Sequence, residues 1–266
     1  MPESLRLLCI LAHPDDESLG TGGILAKYAA EGVETHLVTA TRGEKGRIGE
    51  ERPGATVAAS IREAELQRAA AVLGIRSLRF LDYVDGELDR ADSVAAVAKI
   101  AEALREIRPQ VVVTFAADGA YGHPDHVAIS QLAGAGIVAA ADPSLPGEPH
   151  RVSKQYWFIL TPAAWEGYQY AFKELVSNVD GVARRANPWP EWSVTTRIDT
   201  SEQWETVWRA VQCHQSQLAG YRRLGELPSE MHEALWGTQT LYRVFSLVNG
   251  GREVEDDLFA GLREPG

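Results

Sequence analysis

The sequence predicts an α/β fold of the Rossmann-like, doubly wound kind, in which helices cover both faces of a mostly parallel sheet. Short apolar or β-branched runs alternate with longer segments of helical pattern through the first half of the chain. That alternation is typical of parallel strands joined by crossover helices. The length of 266 residues is within the range of one such unit, and 45% hydrophobic residues suffice for its core.

The predicted elements of the first half alternate from the start. We expect strands over 5–12, 34–40, 78–81 and 111–115, and helices over 19–31, 57–73, 93–107 and 127–141. Gly32 and Gly74 end the first two helices, and Pro109 follows the third. In such a sheet a ligand binds beyond the carboxyl ends of the strands, near the point where the strand order reverses.

A turn-rich linker over 142–149 divides the chain into parts 1–150 and 151–266 of one domain overall. All seven tryptophans follow this linker. The second part could therefore form an aromatic-rich cap that lines a pocket. Its aromatic rings could equally pack in the hydrophobic core, and the pattern leaves both interpretations open. We expect it to supply strands over 154–160 and 238–248 and a helix over 201–217.

Composition excludes two classes of partner. The formal net charge is -11 and no basic stripe is present, whereas phosphate contacts supply most of the affinity of a nucleic-acid binder. No stretch approaches the roughly 20 apolar residues that span a bilayer, and the apolar run 7–12 is too short for a signal peptide. With two cysteines far apart in the sequence, Cys9 and Cys213, we expect a cytoplasmic protein.

Two His-Pro-Asp elements follow predicted strands. The first is Ala-His-Pro-Asp-Asp-Glu over 12–17, and the second is Tyr-Gly-His-Pro-Asp-His over 121–126. One such element alone could equally be a helix start, because proline suits the first turn and acidic residues suit a helix N-terminus. Two of them, each after an apolar strand and each with spare histidines, favour chemistry.

Together the elements can hold a catalytic zinc, which takes three nitrogen or oxygen ligands and keeps one position open. We assign His13, Asp16 and His126 as the ligands of one Zn²⁺ per chain, although Fe²⁺ or Co²⁺ also suits such a site. Asp15 is the general base for water whose pKa zinc lowers to about 7. Asp125 would hold one imidazole in its useful tautomer. Residues 1–150 are then the metal-binding catalytic core.

These elements resemble the two signatures of the LmbE-like (PIG-L) family of zinc-dependent de-N-acetylases. Its members include the deacetylases of N-acetylglucosaminyl-inositol in mycothiol synthesis and of N-acetylglucosaminyl-malate in bacillithiol synthesis. The resemblance covers residues 5–130 well and the remainder thinly. It extends to the loop over 41–46, similar to the family's Gly-Glu-x-Gly loop, and to the helix start over 62–66, similar to its Arg-x-x-Glu-Leu.

The resemblance implies the same ligands and base, and it adds further roles. His123 would stabilise the oxyanion or protonate the leaving amine, oriented by Asp125, and Tyr121 would polarise the amide carbonyl. The residues assigned to substrate binding are Arg62, Asp85, Arg42 and Glu44.

Several residues that could have a functional role can also be explained by a purely structural one. Arg62 could instead form an ion pair with a neighbouring glutamate on the helix surface. The element His-Gln-Ser-Gln over 214–217 resembles one that is common in the family, yet a polar helix end explains it as well. His36, His150 and His232 are interpreted as structural or surface residues.

The expected activity is hydrolysis of the N-acetyl group of a small GlcNAc-inositol or GlcNAc-malate type of compound. An amidase acting on a thiol S-conjugate is one alternative. A phosphoesterase with two metals about 3.5–4 Å apart would need more carboxylates. A dinucleotide site at the glycines over 20–23 lacks the third glycine, since Leu25 stands there. A sugar-binding protein would not need Asp15. The partner is a small molecule, and assembly into a homo-oligomer is left open.

Overall fold

The computed structural model describes residues 4–49, 51–171, 176–179, 181–220 and 222–263. The strands are β1 (Arg6–Leu11), β2 (Glu34–Thr41), β3 (Ser77–Tyr83), β4 (Val111–Phe115), β5 (Lys154–Phe158), β6 (Ser177–Val179), β7 (Val182–Arg184), β8 (Thr196–Asp199) and β9 (Thr238–Ser246). The helices are α1 (Asp16–Ala30), α2 (Ala55–Leu73), α3 (Ser93–Ile107), the single turn α4 (Gly119–Gly122), α5 (Pro124–Ala141), α6 (Pro162–Ala171), α7 (Trp204–Cys213), α8 (Arg222–Gly225) and α9 (Ser229–Trp236).

Seven of the described strands form one sheet in the order β3-β2-β1-β4-β5-β9-β8, and β6 and β7 form a separate hairpin. Strands β1 to β5 are parallel, and β9 runs antiparallel to both β5 and β8. The predicted mostly parallel α/β sheet is therefore confirmed. The order reverses between β1 and β4, since β2 lies on one side of β1 and β4 on the other. Both His-Pro-Asp elements follow these two central strands.

Helices from both halves of the chain cover the sheet. Helices α1, α2 and α7 contact one another, and α3 packs against α5. The central strands are buried throughout β4 and from Leu7 to Leu11 in β1, which explains why both are continuous apolar runs. Two strands of the second half, β8 and β9, lie at the β5 edge of the same sheet. None of the described helices is long and apolar enough to cross a membrane.

The glycines over 20–23 lie inside α1 and serve packing. A Cβ built on Gly23 would lie 2.8 Å from the Oγ1 of Thr200, and one on Gly20 would lie 3.0 Å from the ring of Phe158. These neighbours come from the second half of the chain, so the small residues let it approach α1 closely. A phosphate-binding loop would have to follow β1 directly, and the dinucleotide alternative is therefore wrong.

Several predicted boundaries differ from the observed ones. Helices α1 and α5 begin three residues earlier than predicted, so each His-Pro-Asp element runs directly into its helix. The helix expected over 201–217 is shorter, because residues 201–203 form a 3-10 turn and α7 ends at Cys213. His214 leaves the helix with φ -82 and ψ 56, and its side chain makes a tertiary contact described below. Sequence reasoning did not predict α6, α9, β8 or the hairpin.

Candidate active site

The three predicted metal ligands meet beyond the ends of β1 and β4. The Nδ1 of His13 lies 3.2 Å from the Nε2 of His126. The carboxylate of Asp16 lies beside both rings, with Oδ1 3.5 Å from the Nε2 of His126 and Oδ2 3.7 Å from the Nδ1 of His13. All three side chains are largely buried. The structure thus brings together residues that are 113 positions apart in the chain.

Each ring has an inner nitrogen that faces the other ring, which is Nδ1 in His13 and Nε2 in His126, and an outer nitrogen that faces away. The hydrogen-bond partner of the outer nitrogen decides whether the inner nitrogen carries a lone pair. The Nδ1 of His126 faces the carbonyl oxygen of Gly119 at 3.2 Å, and the Nε2 of His13 faces an Asp125 carboxylate oxygen at 3.0 Å. Each outer nitrogen therefore carries the hydrogen of a neutral ring, which leaves the inner nitrogens as acceptors. Zinc–nitrogen bonds of about 2.0–2.1 Å place tetrahedral ligand atoms about 3.3 Å apart. The 3.2 Å between the inner nitrogens of His13 and His126 fits a metal bound by both rings, and Asp16 lies beside them with one carboxylate oxygen nearest each ring.

Protons compete with a cation for two of these ligands. Burial lowers the pKa of His13, but hydrogen bonds to Asp125 and Asp85 outweigh it and raise that pKa to about 10. Burial raises the pKa of Asp16 to about 7. Burial also lowers the pKa of His126 well below its ordinary value. Because a metal binds the deprotonated forms, its binding would release protons from His13 and Asp16.

His123 contributes a further ring beside the ligands. One of its ring nitrogens lies within 4.8 Å of ligand nitrogens of both His13 and His126. Its Nδ1 accepts a hydrogen bond from the backbone N–H of Asp125 at 3.2 Å, so a neutral ring carries its hydrogen on Nε2. Burial and then the charge of His13 lower the pKa of His123 to about 4. At neutral pH this side chain is therefore a hydrogen-bond donor through Nε2.

Asp125 and Asp85 hold His13 in place. The buried carboxylate of Asp125 accepts from the Nε2 of His13 and from the backbone N–H groups of Gly86 at 2.6 Å and Leu88 at 3.1 Å. Asp85 lies 3.2 Å from the same nitrogen, and although burial opposes its charge, this contact lowers the pKa of Asp85 to about 2. The imidazole that Asp125 orients is thus His13, while its contact with His123 is made by its backbone N–H.

Asp15 lies between the ligands His13 and Asp16 in a left-handed conformation, with φ 101. Its carboxylate accepts from the Nη2 of Arg62 at 3.1 Å. Arg62 is 5% exposed and also donates to the carbonyls of Gly43 and Pro14. The alternative of a surface ion pair for Arg62 is therefore wrong. A guanidinium held at three points fixes the direction of the Asp15 carboxylate.

Tyr121 sits on the irregular turn α4, where Ala120 has a φ of 63. Its ring meets that of His126 edge-on, with centroids 5.2 Å apart. Burial and then the surrounding carboxylates raise the pKa of Tyr121. The phenol therefore keeps its proton at neutral pH and is a second hydrogen-bond donor near the ligands.

A cavity of about 800 Å³ opens over this cluster. Its lining includes the proposed ligands and base together with Arg62 and Asp85, and a role of these two in substrate binding stays a prediction. The lining also includes Phe158, Leu160 and Tyr168 from the second half of the chain. The volume is within the usual range for a small-molecule site, and it accommodates a ligand larger than one sugar ring.

Arg42 and Glu44, which were assigned to substrate binding, lie outside the cavity lining. Arg42 pairs with Glu63 at 2.6 Å and with Asp82, and it stacks over a neighbouring ring. Glu44 accepts a hydrogen bond from the backbone N–H of Asp85 at 3.0 Å. Arg42 supports the loop beside the cavity through its ion pairs, and Glu44 supports it through one carboxylate oxygen, Oε1.

Sequence reasoning missed the role of Glu17 and of the segment 214–217. The Oε1 of Glu17 lies 2.7 Å from the Nε2 of His214, and both side chains have no exposure. Ser216 donates twice to Glu65 on α2. The only signal in the sequence was the His-Gln-Ser-Gln element itself, since partners 197 and 151 residues away cannot be inferred from spacing.

The family model and the sequence relative below support the same family. A family model described as PIG-L, GlcNAc-PI de-N-acetylase, matches residues 8–136. The 1D-myo-inositol 2-acetamido-2-deoxy-alpha-D-glucopyranoside deacetylase of Thermobifida fusca is 36% identical over 248 residues, covering 80% of this chain and 84% of that protein. A conserved protein of Thermus thermophilus superposes with a TM-score of 0.67 at 28% identity, over 92% of this chain and 97% of that one.

The fold alone does not identify the reaction. The 4-carboxy-2-hydroxymuconate hydratase of Pseudomonas putida superposes with a TM-score of 0.69 at 20% identity, over 93% of this chain and 99% of that one. A protein named for another chemistry therefore has the same architecture. The reaction has to be argued from the residues of the site and from the relatives that are similar in sequence.

Proposed function

Because the chain belongs to the PIG-L family, we propose that it hydrolyses the N-acetyl group of a small N-acetylglucosaminyl compound. The products are acetate and a free amine. The observation that carries the proposal is the convergence of His13, Asp16 and His126 beside Asp15, at the reversal of strand order. One zinc ion per chain is the proposed cofactor, because two imidazoles and one carboxylate are typical zinc ligands.

His13, Asp16 and His126 would hold the metal. When bound, zinc lowers the pKa of water and polarises an amide carbonyl. Asp15 accepts the proton of the attacking water as general base. Its carboxylate is kept in direction by Arg62, so the base does not have to reorient for each turnover.

Two neutral donors face the cluster. The Nε2–H of His123 and the phenol of Tyr121 can each donate to the oxygen that gains charge when water adds to the amide carbon. Donors fixed in advance contribute strongly because they need no rearrangement as the charge develops. When the C–N bond breaks, the proton on Asp15 passes to the nitrogen, which leaves as a free amine and restores the carboxylate.

The cavity supports a substrate with a second ring or polar group beside the N-acetylglucosaminyl unit. Its volume exceeds that of one sugar, and Arg62 and Asp85 line it near the reacting centre. The sequence relative from Thermobifida fusca is named for an inositol glycoside. We therefore propose GlcNAc-inositol as the first compound to test, with GlcNAc-malate as the second.

The test is release of free amine from a panel that contains N-acetylglucosaminides of inositol, of malate and of simple alcohols. Protein loaded with zinc is compared with protein stripped by a chelator. The proposal predicts amine release that depends on zinc and is fastest with one panel member. If the zinc-loaded protein releases no amine from any member, the proposed reaction is wrong.

A further inference from the structure

Glu17 and His214 form a buried ion pair outside the group of predicted catalytic residues. The Oε1 of Glu17 lies 2.7 Å from the Nε2 of His214, and neither side chain is exposed to solvent. Glu17 lies in the first turn of α1 and His214 follows the end of α7, so the pair joins the two halves of the chain. Taking two ionisable groups out of water is costly, so the position of this pair calls for an explanation.

The second oxygen of Glu17 contacts the backbone of the proposed base. Its Oε2 accepts a hydrogen bond from the backbone N–H of Asp15 at 2.9 Å. Asp15 has a φ of 101, a conformation that residues with a Cβ avoid because of steric repulsion. The hydrogen bond stabilises this conformation. His214 therefore touches Glu17, and Glu17 in turn touches the residue whose carboxylate would accept the proton.

A second contact from the same segment acts on the other side of Asp15. The backbone N–H and the Oγ–H of Ser216 donate to the two carboxylate oxygens of Glu65 at 2.7 and 2.6 Å. Glu65 stands one helical turn after Arg62 on α2, and the Nη2 of Arg62 donates to the Oδ2 of Asp15 at 3.1 Å. Ser216 thus braces the helix that directs the Asp15 carboxylate.

We propose that the segment 214–216 is a clamp that keeps Asp15 in its working conformation, with His214 and Ser216 as positioning residues. Two chains of contacts lead from this segment to Asp15. The one from His214 reaches the backbone N–H of Asp15 through Glu17, and the one from Ser216 reaches its carboxylate through α2 and Arg62. Asp15 and Ser216 line the cavity, whereas His214 is not part of its lining, so His214 acts on Asp15 without touching the substrate. This inference rests on the proposed function, because it assigns Asp15 as the base.

His214→Leu removes the partner of Glu17, and His214→Gln retains an N–H donor without the ring. Placing a reacting group wrongly by about 1 Å can cost roughly 100-fold in rate. We expect His214→Leu to lower kcat at least about tenfold while KM and zinc content stay close to wild type, and His214→Gln to recover part of that loss. Ser216→Ala, which removes one of the two bonds to Glu65, should lower kcat by a smaller factor.

His232 provides a matched structural control. It is also a buried imidazole, its Nε2 contacts the carbonyl oxygen of Leu224 at 2.8 Å, and it stacks on Trp208. His232→Leu should lower thermal stability without lowering kcat of the folded fraction. If His232→Leu and His214→Leu lower kcat equally, His214 has only a structural role and the clamp is refuted.

A double-mutant cycle with Asp15→Asn tests whether His214 acts through the base. If it does, His214→Gln should lower kcat in the wild-type background and change it less than about twofold in the Asp15→Asn background. An equal factor in both backgrounds overturns the proposal.

A crystal structure of His214→Gln supplies a readout that needs no substrate, and it distinguishes failure of the clamp from failure of the proposed reaction. The clamp predicts that Asp15 is displaced, with its φ or its distance to Arg62 changed, and displaced more in His214→Leu than in His214→Gln. For His214→Leu the same displacement is expected whether or not the protein is a deacetylase. An unchanged Asp15 in both variants would contradict the clamp.

Discussion

Gly43 is the residue at which the support of Asp15 by Arg62 can be disrupted most selectively. It has a φ of +65, and a Cβ built on it would lie 2.0 Å from the Nη1 of Arg62. That is far inside van der Waals contact, so in Gly43→Ala the guanidinium has to move. Arg62 would then lose its bond to the carbonyl of residue 43 and its ion pair with Asp15.

The expected cost of Gly43→Ala has two parts. A left-handed alanine costs about 1–2 kcal/mol because of backbone sterics. Breaking a buried ion pair costs roughly 3–5 kcal/mol more, which applies here because Arg62 and Asp15 are 5% and 9% exposed. The sum of about 4–7 kcal/mol is a large share of a typical stability of 5–15 kcal/mol. In the folded fraction the base is misdirected, so kcat/KM should fall at least about 100-fold.

Gly32→Ala is the matched control, since Gly32 has a φ of +84 and its Cβ would meet nothing within 4 Å. Gly32→Ala should therefore lower the free energy of unfolding only by the cost of a left-handed alanine. Urea unfolding measures the free energy of unfolding of both variants, and amine release measures kcat/KM. The reasoning is refuted if Gly43→Ala is within about 1 kcal/mol of Gly32→Ala in stability and within about threefold of wild type in kcat/KM, since the added methyl group would then not have displaced Arg62.

Three further predictions follow from single contacts. Tyr121→Phe keeps the ring beside the ligands but removes the donor, so kcat/KM should fall about 10²–10³-fold with zinc content unchanged; an active variant would remove Tyr121 from the oxyanion site. Asp125→Ala removes the nearer of the two carboxylates at the Nε2 of His13, so zinc affinity measured by chelator competition should fall roughly 10–100-fold, and an unchanged affinity would show that His13 needs no support from Asp125. Burial opposes both charges of the Glu17–His214 pair, but the charge of each partner outweighs it, which lowers the pKa of Glu17 from 4.5 and raises the pKa of His214 from 6.5. Glu17 stabilises the fold above its unfolded pKa and His214 below its own, so the pair contributes most between pH 4.5 and 6.5. The loss of Tm in His214→Gln should therefore be largest in that window and should shrink on either side, whereas a loss that is independent of pH would contradict the charged pair.

The sequence was most informative where one local pattern decides the structure. Strands β1 and β4 and helix α3 were predicted almost to the residue. A strand that is buried on both faces is a continuous apolar run, and a helix that is buried along one stripe has apolar residues at helical spacing, so the local sequence is enough to identify both. The two His-Pro-Asp elements predicted the cluster, since parallel strands bring their carboxyl ends to one edge. The convergence of His13 and His126 followed from that topology alone.

Contacts between distant segments could not be predicted in this way. The helix pattern over 201–217 continues past Cys213, and only the tertiary contacts of His214 and Ser216 explain why α7 ends there. Arg42 and Glu44 were assigned by resemblance of a loop, but a loop sequence does not reveal which side chains turn away from the cavity. The same limit applies to Asp125, whose carboxylate contacts His13, a residue 112 positions away.

The most direct test of the account is to measure zinc content and turnover on the same preparation of Asp15→Asn. Asp15 is assigned as the base and not as a ligand, so the variant should retain one zinc per chain by mass spectrometry of metals. Its kcat for amine release should fall at least about 100-fold, because a general base contributes roughly 10²–10⁴ in rate. Loss of zinc together with activity would contradict the assignment of roles, and full activity with zinc bound would show that another group accepts the proton.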